Sequence, residues 1–300
     1  MPDKKASKEE REVLEKYLLQ FLNLEKRFPL LPGIQNTQAI AQLTGLEADE
    51  FMKLRNRFEK NAKEAALELL KEEEVTDWLD DIPFDSDDTI VALGDSITDD
   101  LQGWFGIFSH VLEITVPEAD FTFINSGVSY NTSTDALKRL NRDVLAHNPD
   151  WVIVALGTFD AQRLHVEPNR PLVSLADYWE NTNTIEAAVK EVTDNPLIWI
   201  TPPPVLTDML QKIRLFDFDI FNEDLQNIRE IISGKQGYIV DPMGTRMSED
   251  GEIEAWNYLS DGLHPSLSGH VNTARELIRH LTQSKRVEGT SLEPPEDYEG

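Results

Sequence analysis

The sequence predicts an α/β chain: a flavodoxin-like three-layer α/β/α sandwich around a five-stranded parallel sheet, preceded by a helical N-terminal region. Three observations carry this expectation. From Thr89 onward, short apolar runs ending in Gly, Pro or Asp alternate with amphipathic stretches of helical length, and such alternation builds a parallel sheet covered by helices. Those runs are apolar throughout, as strands buried on both faces are. Before that point only helical spacing is present.

Residues 8 to 28 place Val13, Leu14, Tyr17, Leu18, Phe21 and Leu24 three and four apart, which predicts a helix ended by Pro29, Pro32 and Gly33. Helices are also expected over Thr37 to Leu43 and, after Thr44-Gly45, from Ala48 to Lys71, with Phe51, Leu54, Phe58, Ala62, Ala65 and Leu69 on one side. The strands are expected at Thr89 to Leu93, Phe121 to Ile124, Trp151 to Leu156, Leu197 to Thr201 and Tyr238 to Val240. Between them, helices are expected near 99 to 114, 132 to 146, 174 to 193 and 222 to 233, with a last one from Ser266 to Gln283. The segment from Ser284 to Gly300 mixes Glu, Pro, Gly and Ser with few apolar residues, a composition that cannot bury enough surface to fold. The organisation expected is therefore a helical region at 1–86, serving as a cap or a dimer interface, a sheet domain at 87–283, and a disordered acidic tail at 284–300.

Composition narrows the function classes. Acidic residues number 55 against 28 basic, a formal net charge of -27, which repels nucleic acid and anionic membrane surfaces. The absence of cysteine excludes disulfides, zinc-thiolate sites and cysteine nucleophiles. MPDKKASKEEREV carries no apolar stretch of a signal peptide, and no run reaches the ~18 apolar residues of a membrane span, so a cytoplasmic location without membrane insertion is expected. His110, His147, His165, His270 and His280 show no metal-ligand spacing, and neither GxGxxG nor a Walker loop is present; no metal and no cofactor are expected. Ile40 to Leu46, followed by a helix bearing Lys53, Arg57 and Lys60, has the outline of a helix-turn-helix, but Glu47, Asp49, Glu50, Glu59 and Glu64 in the same segment oppose phosphate binding.

In an open parallel sheet, ligands bind beyond the carboxyl ends of the strands. Gly94-Asp95-Ser96, Asn125-Ser126-Gly127, Gly157-Thr158-Phe159-Asp160 and Thr201-Pro202 end the first four strands, and Asp261-Gly262-Leu263-His264-Pro265 precedes the last helix within reach of the same rim. A serine hydroxyl needs an imidazole to take its proton and an acceptor to hold that imidazole in the right tautomer. Ser96, His264 and Asp261 supply these roles. Each also has a plainer reading: Ser96 as a helix cap, Asp261 as a turn residue, His264 as a buried turn histidine, Gly127 as a source of positive φ.

Taken in order, GDSIT at 94 to 98, NSG at 125 to 127, GTFD at 157 to 160 and DGLHP at 261 to 265 resemble the motif blocks of the GDSL/SGNH hydrolases. The likeness runs over about residues 88 to 283. It implies a Ser96/Asp261/His264 triad, an acyl-enzyme, and an oxyanion held by the N–H groups of Ser96 and Gly127 and by an Asn in the third block. Phe159 stands in that Asn's place, and losing one oxyanion donor costs about 100- to 1,000-fold in rate. Asn125, Thr158, Asn131 and Gln162 are candidates to replace it. Asp95 and Phe159 are expected to contact substrate, the latter as an acyl-pocket wall or as plain packing. The expected activity is hydrolysis of a small acyl ester; the alternative is a ligand-binding or regulatory protein of little turnover on the same fold. For the N-terminal helices, a cap on the sheet domain, a cover over its active rim and a homodimer interface all fit the sequence.

Overall fold

The computed structural model describes residues 19–21, 23–213, 216–242 and 253–283. Most of the first expected helix (Val13, Leu14, Tyr17 and Leu18 among it) and the acidic tail therefore lie outside the described residues. Within them, the chain opens with a short helix α1 (Leu24–Arg27), then α2 (Thr37–Thr44), α3 (Ala48–Leu69) and α4 (Glu73–Leu79). The α/β part follows: β1 (Thr89–Gly94), α5 (Ser96–Asp99), α6 (Trp104–Thr115), β2 (Thr122–Gly127), α7 (Ser133–Asp143), β3 (Trp151–Ala155), β4 (Arg163–Leu164), α8 (Leu175–Lys190), β5 (Ile198–Ile200), α9 (Thr207–Leu210), β6 (Phe218–Asp219), α10 (Asn222–Ser233), β7 (Tyr238–Val240) and α11 (Leu267–Gln283).

Five strands form one parallel sheet in the order β2-β1-β3-β5-β7. Counted among themselves these strands run 2-1-3-4-5, the flavodoxin-like order, so the expected fold class is the observed one. Alternation along each strand decides which face a side chain serves. Ile90 and Ala92 of β1, with Trp151 and Ile153 of β3, pack beneath α6 and α11; Val91 and Leu93, with Val152 and Val154, pack beneath α7, α8 and α10. Both faces are covered, and this is the reason the strands read as unbroken apolar runs.

The helical N-terminal region is built into the first of these layers. Ala62, Ala65, Ala66 and Leu69 of α3 and Val75 and Leu79 of α4 belong to the same apolar cluster as Ile90, Phe108 and Leu277. The small residues of α3 let it lie close against α6. At its other end Phe51, Leu54 and Phe58 join Ile40, Ala41 and Leu46 in a separate small core, which also takes in Leu19.

Caps follow from sequence. Asn36 accepts from the N–H groups of Gln38 and Ala39 at the start of α2, Thr132 and Asp135 form a reciprocal capping box on α7, and Ser174 caps α8. The parallel register sets Gly94 beside Gly127 and Ala155, so the loops after β1, β2 and β3 leave the sheet at one rim. A two-stranded antiparallel ribbon of β4 and β6, reinforced by Arg163 donating to both Asp224 carboxylate oxygens at 2.8 Å, stands beside that rim. The sequence reading did not foresee α4, α9 or this ribbon, since each is too short to show a period.

Candidate active site

Gly94 ends β1 and the chain turns at once into α5, a single helical turn. Asp95 makes the turn: its carboxylate accepts from the Ile97 N–H at 2.9 Å. Ser96 is then the first helical residue. Its N–H cannot join an intrahelical bond and has no partner among the described residues. The hydroxyl meets the imidazole of His264, with Oγ and Nε2 2.9 Å apart.

His264 is delivered by a tight turn before α11. Gly262 sits at φ 69 there, and a Cβ on it would lie 2.6 Å from the Leu206 carbonyl oxygen, which leaves glycine as the residue that fits. The turn folds Asp261 back onto its own neighbours: Oδ1 accepts from the N–H groups of Leu263 and His264 at 2.9 and 3.0 Å, and Oδ2 lies 2.9 Å from His264 Nδ1. An ionised carboxylate only accepts, so Nδ1 carries the proton and Nε2 is left to accept from the Ser96 hydroxyl. Burial works to raise the Asp261 pKa, but the bond and charge of His264, with the two N–H groups, outweigh it and hold the carboxyl below its usual range. The structure thus brings together the three residues that the sequence singled out.

Two other expectations change. The N–H of Gly127 is already donated, at 2.9 Å, to the side chain of Asn125. A Cβ on Gly127 would lie 2.5 Å from the Asp99 nitrogen, so the residue's observed role is to let β2 approach α5. Asn125 is equally committed, because its Nδ2 donates to the Thr98 carbonyl at 2.7 Å. Asp95, expected to meet substrate, is only 1% exposed and serves as the cap beside Ser96. Burial pushes its carboxyl up to about 7 against the pull of the Ile97 N–H and the His264 charge.

Phe159 is fully buried, its ring 5.2 Å from that of Tyr130, 6.3 Å from Phe218 and 6.4 Å from the His264 imidazole. It is packed as part of the wall beside the triad. Next to it Asp160 accepts from the backbone and hydroxyl of Ser133, tying the loop after β3 to the start of α7; burial nevertheless raises its pKa to about 6. Tyr130 was not foreseen. It adopts φ 62, a conformation that costs a tyrosine on the order of 1 kcal/mol or more, and its N–H has no partner among the described residues. Burial raises its phenol pKa and the charge of Asp261 raises it further, which places the ring beside the triad. No local sequence pattern announces a strained tyrosine.

A cover over the rim is one of the arrangements expected of the N-terminal region, but the sequence does not show which residues reach it; they are Leu19–Phe21 with Asn23–Arg27, hereafter the strap. It crosses the catalytic rim, with the Phe21 ring 4.2 Å from the His264 imidazole. Asn23 and Lys26 donate to Asp99 Oδ1 at 2.7 and 2.8 Å, and Lys26 reaches Asn125 Oδ1 at 3.0 Å. Asp99 Oδ2 accepts in turn from the Ser129 N–H and hydroxyl, and that hydroxyl also contacts the Phe21 carbonyl. Gln20 Nε2 and His270 Nε2 both donate to Asp100 Oδ2 at 2.8 Å, while the Trp104 N–H donates to His270 Nδ1. His270 is therefore a buried scaffold residue.

Among the described residues no cluster of His, Asp and Glu suits a metal ion, and no helix is long and apolar enough to cross a membrane. The curated acetylxylan esterase of Geobacillus stearothermophilus is 24% identical over 212 residues, spanning 65% of this chain and 94% of that protein. The solved structure of Axe2, an acetylxylan esterase from Geobacillus stearothermophilus, shares the fold with a TM-score of 0.51 at 22% identity, covering 66% of this chain and 95% of that one. A variant of Axe2, described as an acetyl-xylooligosaccharide esterase, gives the same score over 67% and 96%. The family model of the GDSL-like Lipase/Acylhydrolase family matches residues 92–271, more than half the chain and every motif block described above; the protein belongs to that family and is an ester hydrolase of its kind.

Proposed function

We propose that the chain hydrolyses a small acyl ester through Ser96, His264 and Asp261. The observation that carries this is the continuous path from Ser96 Oγ through both imidazole nitrogens to Asp261, each step 2.9 Å. His264 Nε2 takes the hydroxyl proton as Oγ bonds to the acyl carbon. The imidazolium so formed is balanced by Asp261, then passes the proton to the departing alcohol oxygen. Water, activated by the same nitrogen, frees the acyl group. Solved catalytic mutants of Axe2 replace a serine, a histidine and an aspartate three positions before that histidine, the same three residue types and offset.

For the oxyanion, the N–H groups of Ser96 and Tyr130 are the donors proposed, in place of Ser96 and Gly127. Phe159 supplies none, so the hole is weaker than one with an amide by about 3 kcal/mol. Acetyl is the first acyl group to try, because the curated relative is an acetylxylan esterase and Phe21 and Phe159 crowd the imidazole.

Fluorophosphonate labelling and p-nitrophenyl acetate turnover test this. The parent labels at Ser96 and turns over; Ser96→Ala loses both, by roughly 10,000-fold or more in kcat. Phe159→Asn gains up to about 100-fold. Full esterase activity in Ser96→Ala overturns the mechanism. A parent inert in both assays, with Phe159→Asn active in both, supports the alternative of a protein of little turnover, in which Phe159 leaves the third oxyanion donor missing.

A further inference from the structure

We infer that the strap is a removable cover of the active site: substrate reaches Ser96 only when Gln20, Phe21 and Asn23–Arg27 lift from the rim, with Leu19 staying in place. The inference rests on Ser96 being the nucleophile, as proposed above, and adds an access step to it.

Ser96 and Asp261 are 0% exposed and His264 2%. A carbonyl carbon must stand about 3–3.5 Å from the attacking oxygen before reaction, and no such approach is open from solvent to a serine with no exposed surface. Phe21 is the strap group against the triad: its ring lies 4.2 Å from the imidazole, tilted 33° to it, and is itself buried.

The strap is held mainly by polar bonds at the rim: Leu101 N–H to the Gln20 carbonyl at 3.1 Å, Gln20 to Asp100, Asn23 and Lys26 to Asp99, Lys26 to Asn125 at the end of β2, and Arg27 to the Ser129 carbonyl at 2.9 Å, with Glu25 paired to Arg55 of α3. In the charge pair, Lys26 is about a quarter exposed while Asp99 is buried. One carbonyl oxygen, Asn23 Oδ1, is buried with no partner among the described residues, a loss that lifting the strap relieves. Leu19, in the small core of α2 and α3, serves as the fixed end. A closed state favoured by a few kcal/mol leaves the competent form at roughly 0.1–10% and lowers apparent reactivity by that factor.

The chain has no cysteine, so an engineered pair reports alone. The backbone contact between residues 20 and 101 brings those positions within reach of a disulfide, whose Cα atoms sit about 4.4–6.8 Å apart. In the double variant Gln20→Cys, Leu101→Cys, oxidation locks the strap and reduction frees it, so one preparation serves as its own folding control. The expected result is fluorophosphonate labelling of Ser96 in the reduced form and a loss of at least ~10-fold in rate on oxidation. In the otherwise unchanged chain, Phe21→Ala is expected to label ~10-fold faster than the parent. Equal labelling of the oxidised and reduced forms, with disulfide formation verified by thiol titration, overturns the cover while leaving the hydrolase intact. Absence of labelling in the reduced form, the parent and Phe21→Ala alike removes the hydrolase reading and this one with it.

Discussion

Asp95 shows how one side chain can serve catalysis at the expense of stability. It must cap α5 to present Ser96, and the position that does so is dry. Its folded pKa of about 7 lies above the usual value, so between roughly pH 4 and 7 the folded state binds a proton that the unfolded chain has released. Stability contributed by the protonated form is present below the unfolded pKa and is lost as pH rises through that window. Asn caps as well as Asp and carries no charge. Asp95→Asn is therefore expected to melt at the parent's temperature near pH 4 and progressively above it toward pH 7, the gap then staying constant. Thermal melts across pH 4 to 8 measure this, and a gap that shrinks with rising pH contradicts it. Ser96, His264 and Asp261 were legible because the triad's chemistry demands those residue types in recognisable turns. Tyr130 and Phe21 were not, because a strained φ or a contact between residues 21 and 264 leaves no local trace.

At the scale of elements, Arg139 of α7 fixes the relation between the first two strands. It is 7% exposed and donates to the carbonyls of Ser126 at 2.7 Å and Gly94 at 3.0 Å, and through Nε to Asn131. Both carbonyls belong to strand ends that enter the active rim, so one guanidinium closes the gap between β1, β2 and the loop holding Tyr130. Removing it strands buried acceptors and leaves Asp143 without this partner. Arg139→Ala is expected to lose about 3 kcal/mol or more, read as a fall in the urea midpoint, and esterase activity should fall even in buffer where the fold persists. A change under ~0.5 kcal/mol contradicts the role. Sequence reading located β1, β2, β3, β5 and β7 to within a few residues, since each is a run buried on both faces. The strand ends shifted because hydrogen bonding to the neighbour, which no single strand encodes, decides where pairing stops. Helix α3 was expected from Phe51 to Leu69 on one face, and that stripe is what it buries; that it serves two cores at once was not readable from the stripe.

For the whole molecule, the charge of -27 is the main unbalanced force. Short ion pairs such as Arg275 with Glu72 and Arg55 with Glu25 neutralise only part of it, and the excess repels itself across the surface. Screening shortens that repulsion from ~10 Å at 0.1 M salt to ~3 Å at 1 M. Raising sodium chloride over that range is expected to increase the melting temperature measured by calorimetry, and a fall would show that attractive pairs dominate instead.

The strap is made long before the imidazole that it touches. Phe21 leaves the ribosome about 240 residues before His264, and at ~5–20 residues per second that interval is on the order of 10–50 s. Asp99 follows Phe21 by only 78 residues, but the imidazole comes near the end, so the contact of Phe21 with His264 forms only after the turn at Gly262 has been made.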